Sequence, residues 1–314
     1  MNHVRESYSF RLAAHPPALG APVNDPRRAQ ALALAAKASN VAAVMDDKAP
    51  PASDPIETIR REIDGIDSAL LSLVAERLQL ADKLAAAKAP QMGLPIRPGR
   101  EVALLRRLLA NAPAPLEREL VVELWRTLMA ATLRRQRVID VAVGGGRNDP
   151  RLFDIARRHF GARTRIQHVG DAQSALTKAA ENPQSWVAVT PWPAAPGVGA
   201  WWPALSESRY DQLHLIAALP LLADGEDPEA AIFAATPTEE AGGGDLTMLI
   251  AFDAHHRLQR ALNESGLTGK EIARGDPKAL VRIEGFLAPD DPRVAALVRS
   301  GVGKVRVLGS YARI

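Results

Sequence analysis

Between Ile59 and Leu84 apolar residues recur at alternating steps of four and three: Ile59, Ile63, Ile66, Leu70, Leu73, Leu80 and Leu84. That spacing is a heptad seam, which only a helix gathers onto one stripe. Its start is marked by Asp54 at an N-cap, Pro55 at the first helical position and Glu57 at the third, a capping-box arrangement. Carried to Ala89, just before Pro90, the helix is about 52 Å long at 1.5 Å per residue. A small domain is narrower than that, so a second copy of the chain is expected to cover the seam. Arg77 is the one seam position that is not apolar.

Proline divides the chain beyond this helix. A turn over 90–98 leads to a second helix at Gly99–Asn111, and Ala112-Pro113-Ala114-Pro115 breaks it. A third helix is expected over Leu116–Arg137. The pattern then changes to alternating strands and helices. Strands are expected at Val138–Val143, Trp186–Thr190 and Leu213–Leu222, with helices at Leu152–Phe160 and Ala172–Ala180. From Asp245 the order is strand Leu246–Phe252, helix His256–Asn263, strands Glu271–Arg274 and Leu280–Phe286, helix Pro292–Arg299 and strand Val305–Leu308. This is the βαββαβ order of a ferredoxin-like unit.

The expected organisation is thus multidomain: a disordered tail over 1–52, an all-α three-helix domain over 53–137, an α/β lobe over 138–242 and the ferredoxin-like unit over 243–314. The tail is rich in Ala and Pro, lacks a long apolar period and has no secretory h-region. Met45 heads a more typical opening, so residues 1–44 are expected to be a start-site artefact.

Composition narrows the chemistry. With no Cys in 314 residues, thiol catalysis, disulfides and Cys-based zinc sites are excluded. No apolar run approaches the roughly 20 residues of a spanning helix, so a cytoplasmic location is expected, with no membrane partner. The net charge of +3 is uneven: residues 56–137 hold fourteen bases and ten acids. Arg134-Arg135-Gln136-Arg137 lacks the aromatic platform or motif of a nucleic-acid binder, and reads as a solvated face beside an anion pocket.

A cation on an apolar stripe is costly unless it is paired or faces a cavity. Arg77 could pair with Glu76 or Asp82. It could also work with Lys88, eleven residues on and nearly in phase, to hold a small anion. Thr132 and Gln136 place a hydroxyl and an amide on one face of the third helix. Arg100 and Glu101 sit together at the start of the second.

These residues carry a resemblance. Ile59-Arg60-Arg61-Glu62-Ile63-Asp64-Gly65-Ile66-Asp67, Leu73-Val74-Ala75-Glu76-Arg77, Arg97-Pro98-Gly99-Arg100-Glu101 and Glu123-Leu124-Trp125-Arg126 leading to Gln136 resemble the all-helical chorismate mutase family. The resemblance implies an intertwined homodimer that takes chorismate to prephenate by Claisen rearrangement, in aromatic amino acid (phenylalanine) biosynthesis. It needs no metal or cofactor. It implies that Arg77 and Arg60 clamp the two carboxylates and that Arg100 adds charge. Lys88 and Gln136 would donate to the ether oxygen, Glu101 would bind the ring hydroxyl, and Thr132 would stand near a carboxylate. Arg60 and Arg77 are seventeen residues apart, about 25 Å along a helix, so Arg60 is expected from the partner subunit. Arg97 departs from family members that carry an acid three residues before the Arg-Glu pair.

The appended half resembles a degenerate prephenate dehydratase. Val169-Gly170-Asp171-Ala172 and Val187-Ala188-Val189-Thr190-Pro191 are similar to its first lobe. Asp290-Asp291-Pro292-Arg293-Val294 and Val305-Arg306-Val307-Leu308-Gly309-Ser310-Tyr311 resemble its ACT regulatory unit. The stretch from Val138 to Gly242 is too short for two lobes. Thr247-Met248-Leu249 stands where that family's Thr-Arg-Phe would lie, without the guanidinium. No dehydratase activity is expected, and the region is expected to be non-catalytic or regulatory. His256-Arg257-Leu258 and Glu271-Ile272-Ala273-Arg274 only loosely echo the family's effector motifs, so an amino-acid effector such as phenylalanine is left open.

Gly144-Gly145-Gly146-Arg147 has neither dinucleotide nor P-loop spacing and reads as a turn. His255-His256 lacks further metal ligands at useful spacing. Trp186, Trp192, Trp201 and Trp202 read as packing residues before a ligand-facing wall. Two alternatives to the mutase stay open: a pyruvate-eliminating lyase acting on isochorismate, and a non-catalytic metabolite sensor.

Overall fold

The structure is a computed structural model that describes residues 54–87, 93–145, 150–193, 200–222 and 227–314. The expected tail, Lys88, and Gly146 and Arg147 of the glycine turn lie outside the described residues.

The chain divides into two compact units, residues 1–76 and 77–314. In the first, every described residue after Asp54 belongs to helix α1 (Pro55–Ala87), which begins there and ends in the second unit. The Asp54 carboxylate accepts from the Ile56 amide, so the N-cap forms as its sequence directs. No residue of α1 is buried. Its seam residues remain about half exposed or more, with Ile66 at 60 %. An apolar stripe of this length left open is the mark of an interaction surface.

The second unit continues with helices α2 (Pro98–Asn111) and α3 (Arg118–Gln136). The α/β part comes next: strand β1 (Asp140–Val143), helix α4 (Pro150–Phe160), β2 (Arg165–His168), α5 (Ala172–Glu181), β3 (Trp186–Pro191), β4 (His214–Leu219) and β5 (Ala230–Ala234). The chain ends with β6 (Asp245–Phe252), α6 (Leu258–Glu264), β7 (Gly269–Gly275), β8 (Lys278–Glu284), α7 (Pro292–Arg299) and β9 (Val305–Ala312). Strands β2 and β5 carry no sequence signal that predicts them, and the strand expected over Leu213–Leu222 stops at Leu219, before Pro220, which has no amide hydrogen to donate.

The nine strands of the described residues form one sheet, in the order β2-β1-β3-β5-β4-β9-β6-β8-β7. Strands β2, β1 and β3 run parallel, while β5 is antiparallel to both β3 and β4. In the last four strands every neighbour is antiparallel, and their order is that of a ferredoxin-like unit. The two halves meet where β4 and β9 run parallel at Leu215 and Gly309. Gly309 has φ +140°, and a Cβ there would stand 2.3 Å from the Leu215 carbonyl oxygen. Only glycine lets the two backbones come that close.

Alternation along the strands sorts the core into layers. Val141, Val143, Val187 and Val189 point to one face, where they pack with α4 and with Val102, Leu105 and Met129 of α2 and α3. Ala142 and Ala188 point to the other, towards α5 and the segment holding Trp192, Trp202 and Tyr210. Trp192 and Trp202 are therefore core residues, as their expected packing role requires. Helices α6 and α7 cover one face of the ferredoxin-like sheet over Leu249, Val281, Ile283 and Val307.

Helices α2 and α3 thus pack against the α/β core. The start of α2 shows how. Gly99 lies so close to the Glu239 and Glu240 carbonyls that a Cβ would sit 2.6–2.7 Å from them. Beside it, Arg97 donates to Glu239 at 2.6 Å. Further along α2, Arg106 donates to the Gly243 carbonyl and, at 2.8 Å, to that of Arg313.

Candidate active site

The seam interruption finds a partner on α3. Arg77 Nη1 donates to Thr132 Oγ1 at 3.3 Å, and the Thr132 hydroxyl donates in turn to the Leu128 carbonyl at 2.9 Å. Partial burial lowers the Arg77 pKa from the ordinary arginine value, yet a guanidinium starting that high stays cationic at neutral pH. The anticipated pairing of Arg77 with Asp82 does not form. Asp82 instead binds Arg135, the pair holding the end of α1 against the last turn of α3. That contact pulls the Asp82 carboxyl below its usual pKa, chiefly through the Arg135 hydrogen bond.

Gln136 lies one helical turn beyond Thr132, exposed at the end of α3. Arg77 and Thr132 thus stand in contact, with Gln136 one turn further along α3. The remaining N–H groups of Arg77 and the Gln136 amide can donate hydrogen bonds to an oxygen-rich anion.

The other described candidates have surroundings of their own. Arg100 is exposed on the first turn of α2. Arg60 is exposed and lies 3.7 Å from Glu57. Glu101 does not join the Arg77–Thr132 contact. Its carboxylate forms an ion pair with Arg126, a buried residue of α3 whose guanidinium also donates to the His159 carbonyl at 2.7 and 3.2 Å. Six residues separate Arg126 from Thr132, so they stand about 9 Å apart along α3 and about a third of a turn apart around it. Arg126 occurs in the stretch Glu123–Arg126, but the sequence assigns it no role. Finding the pair would have required knowing that α2 packs against α3 at Glu101.

The loosely motif-like positions of the ferredoxin-like unit are occupied by internal contacts. Arg274 donates to Glu271, to Asp253 at 3.1 Å and to Asp276 at 3.4 Å. The Glu271 hydrogen bond, foremost, raises its pKa. Thr247, from Thr247-Met248-Leu249, is fully buried and bonded to Ser310 and to the Gly285 carbonyl, both at 2.8 Å. Among the described residues no group of His, Asp and Glu side chains is arranged to hold a metal ion. Among them, too, no helix is long and apolar enough to cross a membrane.

Comparison with known proteins gives this geometry a context. Residues 59–137 match the family described as chorismate mutase type II. The bifunctional chorismate mutase/prephenate dehydratase of Pseudomonas aeruginosa is 32% identical over 97 residues, covering 29% of this chain and 27% of that protein. The protein of the same description from Neisseria gonorrhoeae is 36% identical over 102 residues, covering 32% of this chain and 27% of that protein. The match thus spans little more than a quarter of either relative's length. Among solved structures, the prephenate dehydratase of Streptococcus mutans has a TM-score of 0.38 at 15% identity, covering 56% of this chain and 98% of that one.

Proposed function

We propose that the chorismate mutase type II domain carried over residues 59–137 converts chorismate to prephenate by an intramolecular Claisen rearrangement. In this reaction the ether C–O bond breaks as a C–C bond forms, and no proton is transferred. The protein's contribution is to hold a compact conformer and to stabilise the charge that builds on the ether oxygen. The observation that carries the reading is the Arg77–Thr132 contact, made between two helices that the family match covers, with Gln136 one turn from Thr132. Arg77 binds a substrate carboxylate with Thr132 beside it, and Gln136 donates to the ether oxygen. Lys88 and Arg100 supply further positive charge.

Arg60 acts from the partner subunit. The exposed seam of α1 supports that assembly, because Ile59, Ile63, Ile66 and Leu70 need a cover. The α/β part is non-catalytic or regulatory and performs no dehydratase step, and the enzyme works in the cytoplasm. Mixing the full chain with chorismate and following its loss tests the reading. Formation of prephenate supports it; chorismate lost no faster than in buffer overturns it.

The Glu101–Arg126 pair favours a second reading. With this acid engaged, less is left to recognise the ring hydroxyl. A pyruvate-eliminating lyase acting on isochorismate places fewer demands there. Release of pyruvate from isochorismate, with no prephenate from chorismate, would select it.

A further inference from the structure

The face of the ferredoxin-like sheet opposite α6 and α7 continues past the packed core into an open cleft of about 500 Å³. Lys270, Arg282, Arg313 and Tyr311 line it, with Asp227 and Glu284 also on its wall. Tyr311 is 2 % exposed, and among the described residues no group accepts the proton of its hydroxyl in hydrogen-bond geometry, while the Arg282 guanidinium stands beside it. A buried donor without a partner is costly and rare in a folded protein. Burial pushes the Tyr311 pKa up to about 12, with Arg282 and Arg313 pulling the other way. The hydroxyl therefore keeps its proton at neutral pH and is available to donate.

Beside it, Arg282 Nη1 lies 3.3 Å from Asp227 Oδ1. Asp227 is 84 % exposed, and an ion pair so open to water contributes little. Its carboxylate marks where an acceptor sits when nothing else is bound. Among the described residues, three cations and two acids line the cleft. The planar fork of arginine matches carboxylate geometry, and Leu246 and Pro228 provide apolar wall for the rest of the molecule.

We infer that this cleft binds a small carboxylate, which displaces Asp227 from Arg282 and takes the Tyr311 hydroxyl as a second donor. The site is separate from the Arg274 cluster, whose guanidinium is already held by three acids. It stands whether or not the helical domain is a mutase.

The test is a ligand-observed NMR titration of the full chain with benzoate, with inorganic phosphate as competitor. Benzoate is expected to bind saturably. Tyr311→Phe removes only the hydroxyl and should weaken binding roughly tenfold, in keeping with the loss of a hydrogen bond to a charged group. Asp227→Asn removes the internal competitor and should tighten binding severalfold, an effect that a purely structural role would not produce. No saturable binding, binding unchanged in both variants, or displacement of benzoate by an equal concentration of phosphate would each overturn the inference.

Discussion

Arg126 reaches from α3 to the Glu101 carboxylate on α2, and its remaining nitrogens close on the carbonyl of His159 in α4. One buried cation thus ties three helices together. Removing one partner of such a pair leaves the other charge half-buried and unmatched. Arg126→Met is expected to cost about 3–5 kcal/mol of stability. The double change Arg126→Met with Glu101→Gln should recover part of that loss. Urea unfolding of the four proteins in the cycle measures it; equal stability of the single variant and the wild type would remove the pair from the account.

Arg77 faces a different prediction. Arg77→Ala should lower mutase kcat/KM by about a hundredfold or more, as loss of a charge-stabilising donor does, while unfolding changes little because the residue is only partly buried. Thr132→Val should have a smaller effect, mainly on KM. Steady-state kinetics and a thermal melt on the same preparations separate the two.

Shared sites can be tested by mixing. Inactive Arg60→Ala and Arg77→Ala chains, allowed to exchange subunits, should regain activity, because some mixed dimers hold one intact site. Absence of recovery despite demonstrated exchange would count against a site built from two chains.

The strands and helices that were legible in the sequence are those with a strong period or firm punctuation. The heptads of α1, the prolines around α2 and the valines of β1 and β3 each state a local preference that packing does not override. Strand β2 was hidden because it is an edge strand, Arg-Ile-Gln-His, with little burial to impose an apolar pattern. Strand β5, Ala-Ala-Ile-Phe-Ala, is fully buried yet built mostly of alanine, a weak strand former. The candidate site divides in the same way. Arg77 was visible because it breaks a seam, and Thr132 and Gln136 because they share a helical face. Arg126 looked like any surface arginine until tertiary contacts buried it.

Acid should destabilise this protein through His159. Its ring is buried, and burial first, then the charge of Arg126, hold its pKa well below the usual 6.5. His214 is shifted in the same direction, by burial and then by Arg306. In the unfolded chain both rings take up a proton near pH 6.5, whereas the folded protein resists it. Below that pH the unfolded state binds more protons, so stability falls as pH drops and is kept above it. His159→Phe should flatten the slope of stability against pH below 6.5. Denaturant midpoints measured from pH 8 to pH 5 would show this, and an unchanged slope would remove His159 as its source.

Gly309 should be intolerant of change. Gly309→Ala puts a methyl group against the Leu215 carbonyl at a φ that L-residues avoid. A loss of about 2–4 kcal/mol in urea unfolding is expected. Cost near zero would mean that the join between the two half-sheets gives way easily.

Helices α2 and α3 bury Val102, Leu105 and Met129 in the same layer as the valines of β1 and β3. The stretch that aligns with the family model therefore ends before the core on which its second and third helices pack. A chain shortened to end at Arg137 would keep the family-matched segment and still lack the surface on which two of its three helices rest.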